Sequence, residues 1–175
     1  STLLADFTAG KCHLGMGGIS VNTTRAEQAF FSTPYVRNGK APITRCENVD
    51  KFQTIEDINQ PGVRVIANPG GTNEQFARAN FPNAQLIIHP DNNTIHEEIV
   101  KGNADVMVTD AIETKYQAKL HPELCAVHPD EQFTFTENGY LLPLGDVKFE
   151  HYVNTWLRLA MNDGTYDKFA EPWLG

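Results

Sequence analysis

Basic residues are scarce in this chain: 14 Lys and Arg stand against 22 Asp and Glu, for a formal charge of −8 and a pI near 5.1. That balance argues against a broad nucleic-acid or anionic-membrane surface. It leaves room for a small anionic ligand, because one local Arg and a helix end outweigh a distant net charge. Long apolar runs are absent too, none approaching the length of a membrane span, so no membrane insertion is expected. Ser1 opens no basic-then-apolar secretion segment, which fits either a cytoplasmic protein or an exported one whose leader has been removed. Cysteine is sparse. Cys12, Cys46 and Cys125 are widely spaced with no CxxC, so neither a zinc site nor a thioredoxin-like site is suggested. Three separate buried thiols are the favoured reading, with a Cys46–Cys125 disulfide as the alternative in an oxidising compartment. His13 has no second His or carboxylate spaced to help it bind a metal, and no metal or cofactor is expected.

What remains is a globular composition: 41% hydrophobic, 21% charged, with 13 Gly and 10 Pro among 175 residues, enough for one good core or two small lobes. Residues 1–10 carry Leu3, Leu4 and Phe7 at helical spacing before Gly10, which predicts a helix starting at Ser1. Residues 12–20 read as a short buried strand emptying into a glycine-lined turn. Thr23 or Thr24 then caps a helical turn bearing Arg25, whose rigid fork suits a carboxylate, although a solvated surface Arg is the ordinary reading. Residues 40–46 read as extended, where the chain leaves one lobe. From there the texture changes. Helix-like 52–58 is followed by strand-like 63–67, helix-like 73–80, strand-like 85–88, helix-like 94–101, strand-like 105–109 and helix-like 111–120. This βαβαβα alternation predicts a parallel sheet covered on both faces. Helical periodicity returns over 149–161 and in a last short helix after Gly164.

Within the alternating region, residues 62–76 carry the densest signal: a buried strand, the turn Asn68-Pro69-Gly70-Gly71, and a helix start capped at Thr72. A helix start aims free N–H groups and a positive dipole end at one point, where a carboxylate or phosphate is stabilised. Pro-Gly-Gly also makes ordinary loops. Polar residues follow each strand: Asn68 after the first, His89-Pro90-Asp91 after the second, Thr109-Asp110 with Glu113 after the third. Parallel neighbouring strands bring these ends to one sheet edge. Asp110 is placed either to hold an ammonium group or to cap its helix. Glu113 is either a solvated partner of the helix dipole or a half-buried acid whose raised pKa lets it donate a proton.

Three groups of residues together resemble the type 2 periplasmic solute-binding family, in its cyclohexadienyl dehydratase branch. They are Gly17-Gly18-Ile19-Ser20, Arg25 and Phe31-Ser32-Thr33-Pro34-Tyr35; Asn68 to Glu74 with Phe76 to Asn80 and His89 to Asn92; and Thr109 to Glu113 with His121 to Pro129. The resemblance runs over nearly all the chain. It implies an α/β, periplasmic-binding-protein-like, two-lobed fold, periplasmic or secreted, that closes over a small carboxylate or amino acid. The lobes would be 1–45 plus 137–175, and 46–136. By the same resemblance Gly18, Ser20 and Arg25 take a carboxylate, Gly71 and Thr72 supply opposing contacts, and Asp110 stands where amino-acid binders hold the ammonium. Glu113 would be the general acid and Asn68 would position a prephenate or arogenate substrate for decarboxylating dehydration. The alternatives are a non-catalytic binder of an amino acid or small carboxylic acid, and an interaction module built on the old cleft. By the same resemblance the opening strand, helix and strand of the first lobe would be missing, which would leave one complete doubly wound lobe and one truncated lobe. Homodimerisation or strand exchange is the expected way of covering the exposed edges.

Overall fold

A computed structural model of the chain describes residues 3–174, the side chain of Leu174 excepted. In chain order the elements are α1 (Leu3–Thr8), α2 (Thr23–Ala26), β1 (Phe30–Phe31), β2 (Val36–Asn38), β3 (Lys40–Arg45), a 3₁₀ helix (Cys46–Lys51) and α3 (Ile55–Ile58). Then follow β4 (Arg64–Ala67), α4 (Thr72–Asn80), β5 (Gln85–Ile88), α5 (Ile95–Val100), β6 (Val106–Asp110), α6 (Ala111–Leu120) and β7 (Leu124–Ala126). The chain closes with β8 (Thr136–Asn138), β9 (Leu141–Leu142), α7 (Val147–Ala160) and α8 (Thr165–Leu174). It divides into two units, one of residues 1–38 with 136–175 and one of residues 39–135.

The second unit is built on a five-stranded sheet of order β5-β4-β6-β3-β7. Strands β4, β5 and β6 are parallel, as the βαβα alternation predicts. The sheet as a whole is mixed, because β3 inserts antiparallel between β6 and β7. This is also why the division falls after Asn38 and not near residue 45: Lys40–Arg45 is an inner strand of this sheet, buried from Lys40 to Thr44. Side chains alternate across the pleat. Val65, Val106 and Val108 therefore pack with Phe52, Ile58, Ala77 and Phe81 on one face, while Ile43, Ile66 and Met107 pack with Ile95, Ile99 and Leu124 on the other. Both faces are apolar because helices cover both. Helix α3 starts later than residue 52 because Thr54 caps it, with Asp57 returning a bond to the Thr54 N–H.

In this unit Cys46 and Cys125 form a disulfide, with Cα atoms 4.8 Å apart. This overturns the reading of three separate thiols: Thr44 pairs with Cys125 across β3 and β7, which brings Cys46 to its partner. Cys12 is free and exposed, so it is not buried either.

The first unit holds two two-stranded antiparallel pairs, β1 with β9 and β2 with β8. Leu141 packs with Phe7, Ile19 and Ala29, whereas its neighbours Tyr140 and Leu142 pack with Val153 and Leu157 of α7. Residues 12–20 do not form the expected strand. They make only isolated bridges, Gly15 to Leu141 and Ser20 to Asn138, because Gly17 and Gly18 turn the backbone to φ of 107° and 63° between them. Helix α1 matches the helical spacing at Leu3, Leu4 and Phe7; its expected start at Ser1 lies outside the described residues.

Candidate functional site

Because β4 and β6 are parallel and β3 runs the other way, the C-terminal ends of β4 and β6 share one sheet edge with the first residue of β3. Lys40 pairs across the ladder with Asp110. Its ammonium donates to the Asp110 carboxylate at 2.7 Å, the Thr72 hydroxyl at 2.9 Å and Asn73 Oδ1 at 2.5 Å. Lysine is seldom buried unless paired. Lys40 is 7% exposed, and the three bonds use its three protons. Asn73 Nδ2 donates to Asn68 Oδ1 at 3.2 Å and to Thr109 Oγ1 at 2.9 Å. Thr109 is wholly buried, and its hydroxyl donates to the Glu113 carboxylate. Lys40, Asn68, Thr72, Asn73, Thr109, Asp110 and Glu113 thus form one continuous hydrogen-bonded network.

Glu113, in the first turn of α6, is half-buried. Burial pushes its carboxyl above the usual carboxylate range and the nearby Asp110 charge adds to that, while the Thr109 bond and the Lys40 charge oppose it. Asp110 occupies the N-cap position of α6 but makes no side-chain cap bond, its carboxylate being engaged by Lys40. Gly71, not Thr72, caps α4, and the Thr72 hydroxyl serves Lys40 instead. The Gly70 N–H bonds Glu74 at 2.6 Å, and Gly70 with Arg78 holds the Glu74 carboxyl below its usual range. His89 does not join the network. Its Nε2 lies 2.8 Å from the Thr94 hydroxyl within its own loop, and Asp91 accepts there from the Asn93 N–H.

Gly18, Ser20 and Arg25 belong to the first unit. Asn22 caps α2 by accepting from the Arg25 N–H at 2.9 Å, and Arg25 Nη1 donates to the Ser20 carbonyl at 2.7 Å. One of the five guanidinium protons is thereby used to orient the fork. The Gly18 N–H donates to the Tyr35 hydroxyl at 3.2 Å. Among the described residues no cluster of three or more His, Cys, Asp or Glu is placed to hold a metal ion, and no helix is long and apolar enough to cross a membrane.

Sequence reasoning missed Lys40 and Asn73 as parts of this network. A lysine heading an otherwise buried strand was the available signal, but its acceptors lie 32, 33 and 70 residues away.

The mixed α/β sheet with its polar edge is the architecture of periplasmic-binding-protein-like folds. The model of the bacterial extracellular solute-binding proteins, family 3, matches residues 1–175, and the chain belongs to that family. It is 53% identical over 172 residues to the cyclohexadienyl dehydratase of Pseudomonas aeruginosa, a match that covers 98% of this chain. The chain spans 64% of that relative's length. An ancestral cationic amino acid solute-binding protein superposes with a TM-score of 0.89 at 34% identity, covering 99% of this chain and 74% of the other. An ancestral cyclohexadienyl dehydratase, 48% identical, covers 99% and 72% with a TM-score of 0.57.

Proposed function

We propose that this chain is a cyclohexadienyl dehydratase-like enzyme that removes the ring hydroxyl of prephenate or arogenate with loss of carbon dioxide. The observation that carries this reading is Glu113: a half-buried carboxyl at the head of α6 that accepts from the Thr109 hydroxyl in a polar network, with burial pushing its pKa above the usual carboxylate range. Hydroxide is a poor leaving group. As the ring C–O bond breaks with its electron pair going to oxygen, the Glu113 proton joins that oxygen and water leaves. The electron pair of the C–CO₂ bond moves into the ring, which becomes aromatic, and Glu113 recovers a proton from water. No metal or organic cofactor enters this balance. Asn68 positions the substrate, Gly71 and Thr72 offer the start of α4 to negative charge, and Arg25 with Ser20 and Gly18 takes a carboxylate. The disulfide and the family together favour an oxidising, periplasmic location.

The second reading is a non-catalytic binder of an amino acid or small carboxylic acid, supported by the ancestral cationic amino acid solute-binding protein among the relatives. Asp110 weighs against the amino-acid form, because Lys40 already neutralises the carboxylate that would hold an ammonium group. The apolar side chains that α7 leaves exposed, Tyr152, Trp156 and Leu159, give homodimerisation its physical motive. A solution mass showing a well-folded monomer rejects that assembly.

Turnover is measured by mixing the protein with prephenate and following the ultraviolet absorbance of the aromatic product. Aromatic product forms on the enzyme reading; binding of acids without turnover leaves the binding protein. The variant Glu113→Gln is expected to lose activity at least 100-fold, the scale of general acid catalysis, while prephenate binding measured by calorimetry persists. Unchanged activity rejects Glu113 as the acid.

A further inference from the structure

We propose that Thr109 is a positioning residue for the acid, committing its hydroxyl proton to Glu113 Oε2 so that the proton Glu113 delivers is carried on Oε1. The proposal rests on the reading of Glu113 as the general acid and says which of its two oxygens does the work.

The argument is one of hydrogen-bond direction, and it starts at Lys40. An ammonium group only donates, so the Asn73 atom 2.5 Å from Lys40 Nζ is the amide oxygen. The other amide atom is then the nitrogen, which only donates. It faces Thr109 Oγ1 at 2.9 Å, and the threonine oxygen must accept there. A hydroxyl has a single proton. With its oxygen occupied by Asn73, Thr109 turns that proton to Glu113 Oε2. Thr109 is wholly buried, so water does not compete for the bond. A proton on Oε2 would turn the atom that accepts from Thr109 into the weakly accepting hydroxyl oxygen, whereas a proton on Oε1 leaves Oε2 as the strongly accepting carbonyl oxygen. When Glu113 is protonated, Oε2 is therefore the carbonyl oxygen and Oε1 the donor.

The same chain of directions reaches Asn68. Its Oδ1 accepts from Asn73, which leaves the Asn68 amide N–H pair as the group offered to a substrate oxygen. A charge at Lys40 thus sets the polarity of two neutral amides, one hydroxyl and one acid, none of which would hold a fixed direction alone. The charged groups acting on Glu113 are Asp110 at the head of its own helix and Lys40 from β3; α4 contributes the neutral Asn73 to the network.

The test compares Thr109→Val, which removes the donor, with Thr109→Ser, which keeps it; Lys40 and Asp110 are retained in both. Infrared difference spectra against Glu113→Gln isolate the carboxylic acid C=O band in the free protein. In Thr109→Val that band should persist to higher pH than in the parent protein, because the bond favouring the carboxylate is gone. Thr109→Ser should follow the parent. In the parent protein itself, the band should lie at the lower frequency of a carbonyl that accepts a hydrogen bond, a measurement that stands even if the valine variant does not fold. Coincident titrations of Thr109→Val and the parent, or a parent band at the frequency of an unbonded carbonyl, overturn the proposal. Where prephenate is turned over, the alkaline limb of kcat/KM should move to higher pH in Thr109→Val alone. Absence of turnover rejects the enzyme reading, and the infrared titration still decides the role of Thr109.

Discussion

Gly39 and Glu113 show how single residues govern this network. A Cβ on Gly39 would lie 2.0 Å from the Thr134 carbonyl oxygen and 2.8 Å from the Gln132 side chain. Only glycine lets the 132–134 segment pass so close, and that segment anchors Lys40 by accepting its N–H at the Thr134 hydroxyl and donating the Phe133 N–H to its carbonyl. Gly39→Ala should therefore destabilise the protein by about 1–3 kcal/mol in urea unfolding, as overpacking does, and should loosen Lys40. Glu113 acts through protonation. Its folded-state pKa is raised, so between the unfolded and folded values the native state binds the extra proton, and stability falls as pH rises through that window. Glu113→Gln should accordingly be more stable than the parent at neutral pH, with the advantage vanishing below the ordinary glutamate pKa. Equal stability at all pH values would show that Glu113 carries no burial cost.

At the scale of elements, α5 contains a buried histidine. His96 is 2% exposed on this helix, and its Nε2 has no hydrogen-bond partner among the described residues. Burial holds its pKa down to about 4, with the charge of His121 a smaller influence in the same direction. Above about pH 6.5 both native and unfolded forms are neutral, and the group adds no pH dependence. As pH falls from there toward 4 the unfolded chain takes up the proton first, which removes up to about 3 kcal/mol of stability. His96→Leu should flatten the stability curve over that interval, a result read from urea melts at successive pH values. The elements themselves were largely legible from periodicity. The strand predicted over 85–88 is β5, the helix over 111–120 is α6, the helix over 73–80 differs from α4 by one residue at its start, and the helix over 149–161 differs from α7 by two residues at its start and one at its end. Over 12–20 the local pattern misled because of glycine: Gly17 and Gly18 broke the expected strand.

On the scale of the whole molecule, the Cys46–Cys125 disulfide ties residues 79 apart in the sequence. Closing so long a loop restricts the unfolded chain, and a native disulfide of this kind contributes about 2–5 kcal/mol. Replacing both cysteines by serine should lower the urea midpoint accordingly, and a reductant should destabilise the parent protein without affecting the double variant. An unchanged midpoint would mean that the sheet alone supplies the stability of the second unit.

The sequence by itself determined what is local and periodic: the alternation of helices and strands, the parallel run of β4, β5 and β6, and the polar residues at their ends. Asn68, Thr109, Asp110 and Glu113 could be assigned to one sheet edge because parallel strands end together. The tertiary structure alone decided where β3 inserts, which thiols join, and that Lys40 occupies the carboxylate of Asp110. Those outcomes depend on pairing between strands distant in the chain. The hydrophobic period of one strand says that it is buried, but not which neighbour it meets or in which direction. Lys40 and its acceptors become neighbours only when β3 enters the sheet antiparallel to β6, and the direction of the Thr109 hydrogen bond to Glu113 follows from that placement.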